Sequence, residues 1–478
     1  MPSFPCFLSI ATSVMLAAAV SGCGSSSTSG NSQPTGSTVV SFLLSSASNN
    51  HLSQFNLNFS SISLTSKSGK TFTLLAAPQN PEFVHLNGNT EPLLTVNVPE
   101  DDYVSASAVI PNSTFVCIDL NSTGGLQTNS AISSPVSANS VTINLPSPIT
   151  LSGPHMGLLL NLQVAPSISY PSCDTLVQGP TTVTPTFTLT PLTFAAQPTN
   201  SGNGLANDLE GILSSVNSAA GTFQLTAPDG LKWLLSTTGA TRFQGVSDFS
   251  ALISGMPVSV DAVIQPDGSL LATRVAVQDT NTVSLTTSSG PLLLVASSQP
   301  SLMAFGTLLQ GPLLVGGPVY YDFGSAAFAI SGQLSNLQSL PFPASFTRVN
   351  MVPGQRILLT SHAPGFPNAP GYPPVATVTL LPQTLDGTVT AVSNDGGFAT
   401  YTISLASYDL FADLAVQAGQ TSLLQNPNTV VVYVDSGVQM QNSTPLAVGN
   451  TLRFYGLVFN SNGTLKMDCA QITDGVTQ

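Results

Sequence analysis

Gln54-Phe55-Asn56-Leu57-Asn58-Phe59-Ser60-Ser61-Ile62-Ser63-Leu64 sets apolar residues between polar ones at a period near two. Successive side chains of an extended chain point to opposite faces, so this stretch reads as a half-buried β-strand. Lys67-Ser68-Gly69-Lys70 follows as a turn, and Thr71-Phe72-Thr73-Leu74-Leu75 returns as its hairpin partner. Working outward, an earlier strand opens at Val39-Val40-Ser41-Phe42-Leu43-Leu44. Later ones are expected over 93–98, 103–110, 114–120, 140–145 and 157–164. Short strands separated by Gly, Pro, Asn and Asp imply a sandwich or a barrel, and no long stretch carries a helical period. The fold class is all-β, with a β-sandwich-like domain over 38–170.

The C-terminal half repeats itself. Gly211-Ile212-Leu213, Gly221-Thr222-Phe223-Gln224-Leu225, Thr241-Arg242-Phe243, Met256-Pro257-Val258-Ser259-Val260 and Asp267-Gly268-Ser269-Leu270-Leu271-Ala272 occur in that order. Gly387-Thr388-Val389, Phe398-Ala399-Thr400-Tyr401, Val438-Gln439-Met440, Val448-Gly449-Asn450-Thr451-Leu452 and Asn462-Gly463-Thr464-Leu465 repeat the order. A partial or divergent copy lies between them, from Ala327-Phe328-Ala329-Ile330 through Val352-Pro353-Gly354-Gln355-Arg356 to Val375-Ala376-Thr377-Val378. Asp-Gly and Asn-Gly at the last hairpins supply the positive φ angles of tight turns. Two or three small β-barrel-like modules are therefore expected, over 208–280, 281–382 and 383–474. A Pro/Thr-rich connection at 171–207 precedes them, within which 186–190 has the pattern of an edge strand.

Two resemblances follow from these residues. The order of an alternating strand, a Leu-rich segment with Asn87-Gly88, Pro99-Glu100-Asp101-Asp102-Tyr103 and a final strand before Ala165-Pro166-Ser167 resembles the domain-of-unknown-function family 4382, found in bacterial lipoproteins. This chain lacks the glycine of that family's Pro-x-Gly-x-Tyr turn and is one residue longer there. The repeat resembles the domain of unknown function 5666, whose members are exported β-barrel modules, well over 211–277 and more loosely over 385–472. Both imply architecture and neither implies an activity.

Of the 478 residues only 6% are charged, with 9 basic against 22 acidic, while 42% are hydrophobic. That fraction can build cores, so charge-driven disorder is excluded. The acidic balance without Lys/Arg clusters excludes a nucleic-acid partner, since phosphate backbones require such clusters. The run from Phe7 to Val20 has the length of a signal-peptide apolar region and is short for a membrane span. Val20-Ser21-Gly22-Cys23, with the Gly/Ser-rich tether at 24–37, resembles a bacterial lipobox. That resemblance implies a signal peptide over 1–23, a lipid on Cys23, and a bacterial cell-envelope address at the outer membrane. The first basic residue is Lys67, so the apolar run lacks the positive flank usual in leaders. Export favours disulfides, and Cys117 with Cys173 would close a loop of about 56 residues, worth roughly 3–4 kcal/mol in the chain-entropy model. Cys469 reads as an unpaired strand residue.

Candidate chemistry is sparse. His51, His85, His155 and His362 are far apart in sequence without metal-ligand spacing and read as solvated or loop histidines. No Cys-x-x-Cys or Gly-x-Ser-x-Gly occurs, so neither that kind of zinc site nor a nucleophile elbow is expected. Glu100-Asp101-Asp102 supplies too few oxygens for Ca²⁺, which takes about six to eight, and reads as a solvated turn. Trp233, Tyr320, Tyr321, Tyr401, Tyr408, Tyr433 and Tyr455 could stack on a glycan, but their strand patterns favour packing. The Pro/Gly/aromatic stretch from His362 to Pro374 reads as an exposed loop. No catalytic, metal or cofactor site is assigned. The expected role is structural, adhesive or surface-presenting, with a carbohydrate-binding module as the alternative and a hydrolase third. The membrane, through the lipid anchor, and a cell-surface glycan or envelope protein are the partners considered.

Overall fold

The doubled serine at Ser60-Ser61 divides the long alternating run. In the computed structural model, Leu52–Leu57 and Ser61–Ser66 are separate strands in different sheets. Up to Phe59 the apolar positions are odd-numbered, and from Ile62 they are even-numbered. A one-residue slip in a period of two turns every side chain to the opposite face, so the chain changes layer instead of continuing. The Asn58 N–H donates to the Asn112 carbonyl at 3.1 Å and the Ser60 N–H to that of Val109 at 2.9 Å. Phe59 fills the corner, its ring centroid 6.2 Å from that of Phe83 and 5.7 Å from that of Phe187. The one strand expected over 54–64 is thus two strands and a corner.

The structure describes residues 36–47, 52–87, 89–120, 126–128, 132–168, 182–192, 194, 204–277, 286–295, 301–304, 307–308, 319–334, 337–361, 372–407, 409–415, 424–441 and 444–474. The expectations for Cys23 with its leader and most of its tether, for His51, Cys173, His362 and Tyr408, and for most of the 362–374 loop fall outside these residues.

Three sheets build the N-terminal part. Ser37–Ala47 lies between His155–Gln163, parallel to it, and Glu91–Pro99, antiparallel to it. Asp101–Val109 pairs with Ser61–Ser66, Ser140–Ile143 and Ile149–Leu151. Leu52–Leu57 pairs with Asn112–Leu120. Thr186–Leu192, inside the Pro/Thr-rich connection, forms the edge of the first sheet beside His155–Gln163. Cys117 in Asn112–Leu120 is disulfide-bonded. Cys469 is a buried free thiol in Thr464–Asp474.

Three modules of one design follow. In the first, the five main strands are Leu205–Asn217, Thr222–Thr226, Lys232–Ser236, Pro257–Ile264 and Leu270–Val277, with short Arg242–Gln244 after the third. The middle module has Thr286–Val295, Ser301–Ala304, Val319–Asp322, Arg356–Ser361 and Val375–Leu380, with Ala327–Ile330. The last has Gln383–Asp395, Phe398–Leu405, Thr429–Val434, Thr451–Ser461 and Thr464–Asp474, with Gln439–Gln441. Every sheet runs third, second, first, fourth, fifth, short. A short parallel seam then brings the third strand to the fifth in the first and last modules, Leu235 opposite Leu270 and Val430 opposite Leu465; in the middle module a single bridge joins Asp322 to Pro374, just before the fifth strand. This barrel-like order is that of the five-stranded Greek-key oligonucleotide/oligosaccharide-binding barrel, which by itself implies no ligand. The middle copy, divergent in sequence, carries the complete strand order.

Each first strand bends at the same place. Register shifts fall between Leu213 and Ser215, Leu292 and Leu294, and Val389 and Ala391. Gly211, Gly290 and Gly387 stand two residues before these bulges. A side chain at Gly211 would run into the Thr226 carbonyl, and at Gly387 a Cβ would lie 3.0 Å from that of Ser404. Bulges let a strand coil tightly enough to bring its sheet round.

Residues 35–478 form one compact unit. One core runs from Val40 in the sandwich to Val277 in the first module, and another joins Ile357 and Val378 of the middle module to Leu457 and Phe459 of the last. Each fully buried Val, Leu, Ile or Phe contributes about 1.5–3 kcal/mol, so these shared cores dominate the cohesion between modules. Gly211→Ala is expected to cost about 1–3 kcal/mol through the forced backbone shift. Gly239→Ala, with open space around the new methyl, should stay within about 0.5 kcal/mol. Urea unfolding of the two variants checks this.

Candidate functional site: a charged cavity at the junction of the modules

A cavity of about 180 Å³ lies where the sandwich meets the three modules. The sandwich contributes Glu82, His85 and Asn89 from the segment before Glu91–Pro99, and Glu91 from the start of that strand. The first module brings Glu210, Asp229 and Trp233; the middle one Ser289 and Arg356; the last Thr384, Asp409 and Phe411.

Asp208 and Glu210 are aimed by a local distortion. A register shift between Ala206 and Leu209 interrupts the first strand, and Asp208 sits there at φ +59. The left-handed region is open to Asp at a cost of roughly 1–2 kcal/mol. Its N–H donates to Asp261 at 2.9 Å, and its carboxylate accepts from the Ser259 hydroxyl at 2.7 Å. This turns it onto Arg356 of the middle module, Nη1 to Oδ2 2.5 Å, while Glu210 takes Nη2 at 3.0 Å. Ser289 donates to the other oxygen of Glu210 at 2.9 Å. Burial raises carboxyl pKa values, but Arg356, Ser259 and Arg274 hold Asp208 below its usual range. Glu210 stays above its own, because burial and the Asp208 charge outweigh Arg356. Arg274, wholly buried, forks onto Asp261 at 2.6 and 3.0 Å, and Gln333 bridges Asp261 to the Tyr455 hydroxyl at 3.2 Å each.

His85 stands between two glutamates. Nδ1 lies 2.8 Å from Glu82 and Nε2 3.1 Å from Glu91. Glu82 is fixed by the backbone N–H groups of Phe55, Val84 and His85 at 2.7, 2.8 and 3.0 Å. The imidazole is 39% exposed at the cavity mouth, as expected of a loop histidine but not free of partners; its packed surroundings disfavour the imidazolium, yet Glu91 and Glu82 raise its pKa well above the ordinary value. Asp229, on the turn after Thr222–Thr226, is pushed up to about 7, first by burial and then by Glu91. Trp233 is locked by its Nε1–H donating to the Pro92 carbonyl at 2.7 Å. Arg453 donates from Nη1 to the Ser46 carbonyl at 3.0 Å, tying the last module to the sandwich. Asp386 nearby is pushed up to about 6 by burial, against the pull of Arg453.

Of these groups the sequence singled out only Trp233 and Tyr455, read as packing aromatics, and His85, to which it gave no partner; it drew attention to none of the carboxylates or arginines as a site. The available signal was scarcity: where 6% of residues are charged, Glu82, His85 and Glu91 within ten residues are conspicuous. His155 is elsewhere, 3.0 Å from the Ser41 hydroxyl and against the Phe194 ring at 4.9 Å. Glu100 and Asp102 accept from the Gly153 N–H at 3.0 Å and the Thr150 hydroxyl at 2.6 Å, away from the cavity. Of the aromatics, Trp233, Tyr321, Tyr433 and Tyr455 are buried.

Residues 210–276 match the family described as a domain of unknown function, 5666. The match covers the first module, including Glu210, Asp229 and Trp233 of the cavity wall. No curated protein matches the chain.

Removing Arg356 leaves Asp208 and Glu210 buried and uncompensated, so Arg356→Ala should cost about 3–5 kcal/mol. Adding Asp208→Asn and Glu210→Gln should restore part of that, read from denaturation midpoints. Stability should also fall as pH rises. Asp229, protonated to about 7 when folded, releases its proton near 4 when unfolded, so the folded state holds more protons between these values. The His85 contribution is complete below its unfolded value of about 6.5 and is lost as pH climbs through its higher folded value. Urea midpoints are thus expected to be higher at pH 5 than at pH 8, with the difference reduced in Asp229→Asn.

Proposed function

We propose that the protein is an envelope-anchored bacterial lipoprotein with a structural, surface-presenting role and no catalytic activity. The observation that carries this reading is the fusion of the modules. Arg356 links the middle module to the first, Arg453 the last module to the sandwich, and Trp233 the first module to the sandwich. Independent binding modules on linkers gain nothing from buried charges across their interfaces, whereas a rigid body that holds its far surface at a fixed height does. The reading of the cavity's polar groups agrees: His85 and Arg356, the groups best suited to acid–base or anion chemistry, are each occupied by two carboxylates.

In this reading Cys23, at the end of the lipobox-like Val20-Ser21-Gly22-Cys23, carries the lipid, and the Gly/Ser-rich segment behind it spans the headgroup layer. The outer membrane is the proposed address, and the N-terminal sandwich is of the kind that family 4382 represents. Mass spectrometry of native protein should find a mature chain that begins at an acylated Cys23. Cys23→Ser should release the protein from the membrane fraction; membrane retention of that variant, or an unmodified Cys23, would overturn the anchor.

A further inference from the structure

One ring serves two carboxylates at the cavity mouth. His85 Nδ1 lies 2.8 Å from Glu82 Oε2, and Nε2 lies 3.1 Å from Glu91 Oε2. Ionised carboxylates only accept, and a neutral imidazole carries a single N–H. A neutral ring therefore turns a lone pair on one of the two oxygens, whichever tautomer it adopts. Only the imidazolium donates to both. The glutamate side chains are 5% and 4% exposed, so solvent supplies no substitute donor, while the 39% exposed ring can exchange its proton. Glu82 also accepts from three backbone N–H groups; Glu91 Oε2 has His85 as its donor.

This trio faces the first module. The Glu82 N–H donates to Asp229 Oδ2 at 3.2 Å, and the Leu231 N–H donates to Asp229 Oδ1 at the same distance. Glu91 is the chief charge acting on Asp229, whose carboxyl ionises at about 7. Rising pH thus removes a positive charge from one side of this seam and adds a negative one to the other. The remaining charged groups of the cavity wall are Glu210, Arg356 and Asp409. Arg356 is already matched by Asp208 and Glu210. Asp409 accepts from the N–H groups of Asp386 and Phe411 at 2.7 and 2.8 Å. Behind the seam, Phe83 and Leu86 are buried in the core that the sandwich shares with the first module, so their segment is pinned. The contact free to part is that between Glu82 and the turn Pro228-Asp229-Gly230.

We propose that this seam is a proton-held latch: loss of the second His85 proton, with ionisation of Asp229 opposite, releases the Pro228-Asp229-Gly230 turn from Glu82 and opens the cavity there as pH rises. The closed seam holds more protons than the open one, in which the imidazole and the carboxyl return to ordinary values of about 6.5 and 4. The stabilisation of closure is complete below those values and is lost as pH climbs through the higher values of the closed state. The latch is independent of lipidation.

The test is hydrogen exchange of the full-length protein in non-ionic detergent, read by mass spectrometry at pH 6 and pH 9 with labelling times scaled to the intrinsic exchange rate. Protection of the amides over 82–87 and 228–233 should fall about tenfold or more between these values, with that of Thr451–Ser461 in the last module unchanged. In Glu91→Gln the new amide donates to the neutral Nε2 while Nδ1–H still donates to Glu82. Combined with Asp229→Asn, it should hold protection at the seam nearly constant over this range. Purely structural residues would instead lower protection at both pH values and leave its pH dependence intact. Carbon-13 shifts of the histidine rings in the unaltered protein should show His85 doubly protonated at pH 7, a reading that stands even if the variants fail to fold. A neutral His85 ring at pH 7, seam protection that does not fall by pH 9, a fall shared equally by Thr451–Ser461, or a double variant that keeps the full pH dependence would overturn the proposal.

Discussion

The guanidinium of Arg356 holds the junction in register. It sits between Asp208 and Glu210 of a different module, in a chain with 9 basic residues in all. A buried ion pair contributes little net stability compared with apolar groups of the same shape, yet losing one partner is costly. Its effect is therefore on geometry: apolar cores allow modules to slide against each other, whereas a two-pronged charged contact admits one arrangement. The left-handed Asp208 belongs to the same constraint, because only the distorted strand aims that carboxylate at Arg356.

The three modules show how repetition becomes a site. Glu210, Ser289 and Asp386 each precede the glycine at which the first strand bends. In the first module this position holds Arg356, in the middle one it donates to Glu210, and in the last it lies buried near Arg453. One structural position with three different side chains thus supplies complementary groups to neighbouring interfaces. The aromatic contacts behave similarly: Phe342 packs on Tyr433 of the last module at 4.8 Å, and the Lys466 ammonium lies 4.8 Å from the Phe342 ring centre.

Much of the architecture was legible because strands carry their pattern locally. The expected 93–98, 103–110, 114–120 and 157–164 lie within or overlap Glu91–Pro99, Asp101–Val109, Asn112–Leu120 and His155–Gln163. Asn462-Gly463 makes its turn with both φ angles positive, as that dipeptide favours. The corner at Ser60-Ser61 escaped notice because one slipped residue in a strong alternation looks like continuity. The cavity was illegible for a different reason. Its wall draws on residues from Leu52 to Leu414, and no local pattern connects them.

The amino-acid sequence by itself determined the all-β class, the alternating strands and the repeated order of the C-terminal half. These follow from side-chain periodicity and turn residues, which act over a few residues. Only the tertiary structure decided that the divergent middle stretch is a complete module, that the modules share cores, and that His85, Asp229 and Arg356 meet at one cavity. Those outcomes depend on which surfaces bury each other, and the energy of a buried charge is set by neighbours hundreds of residues away.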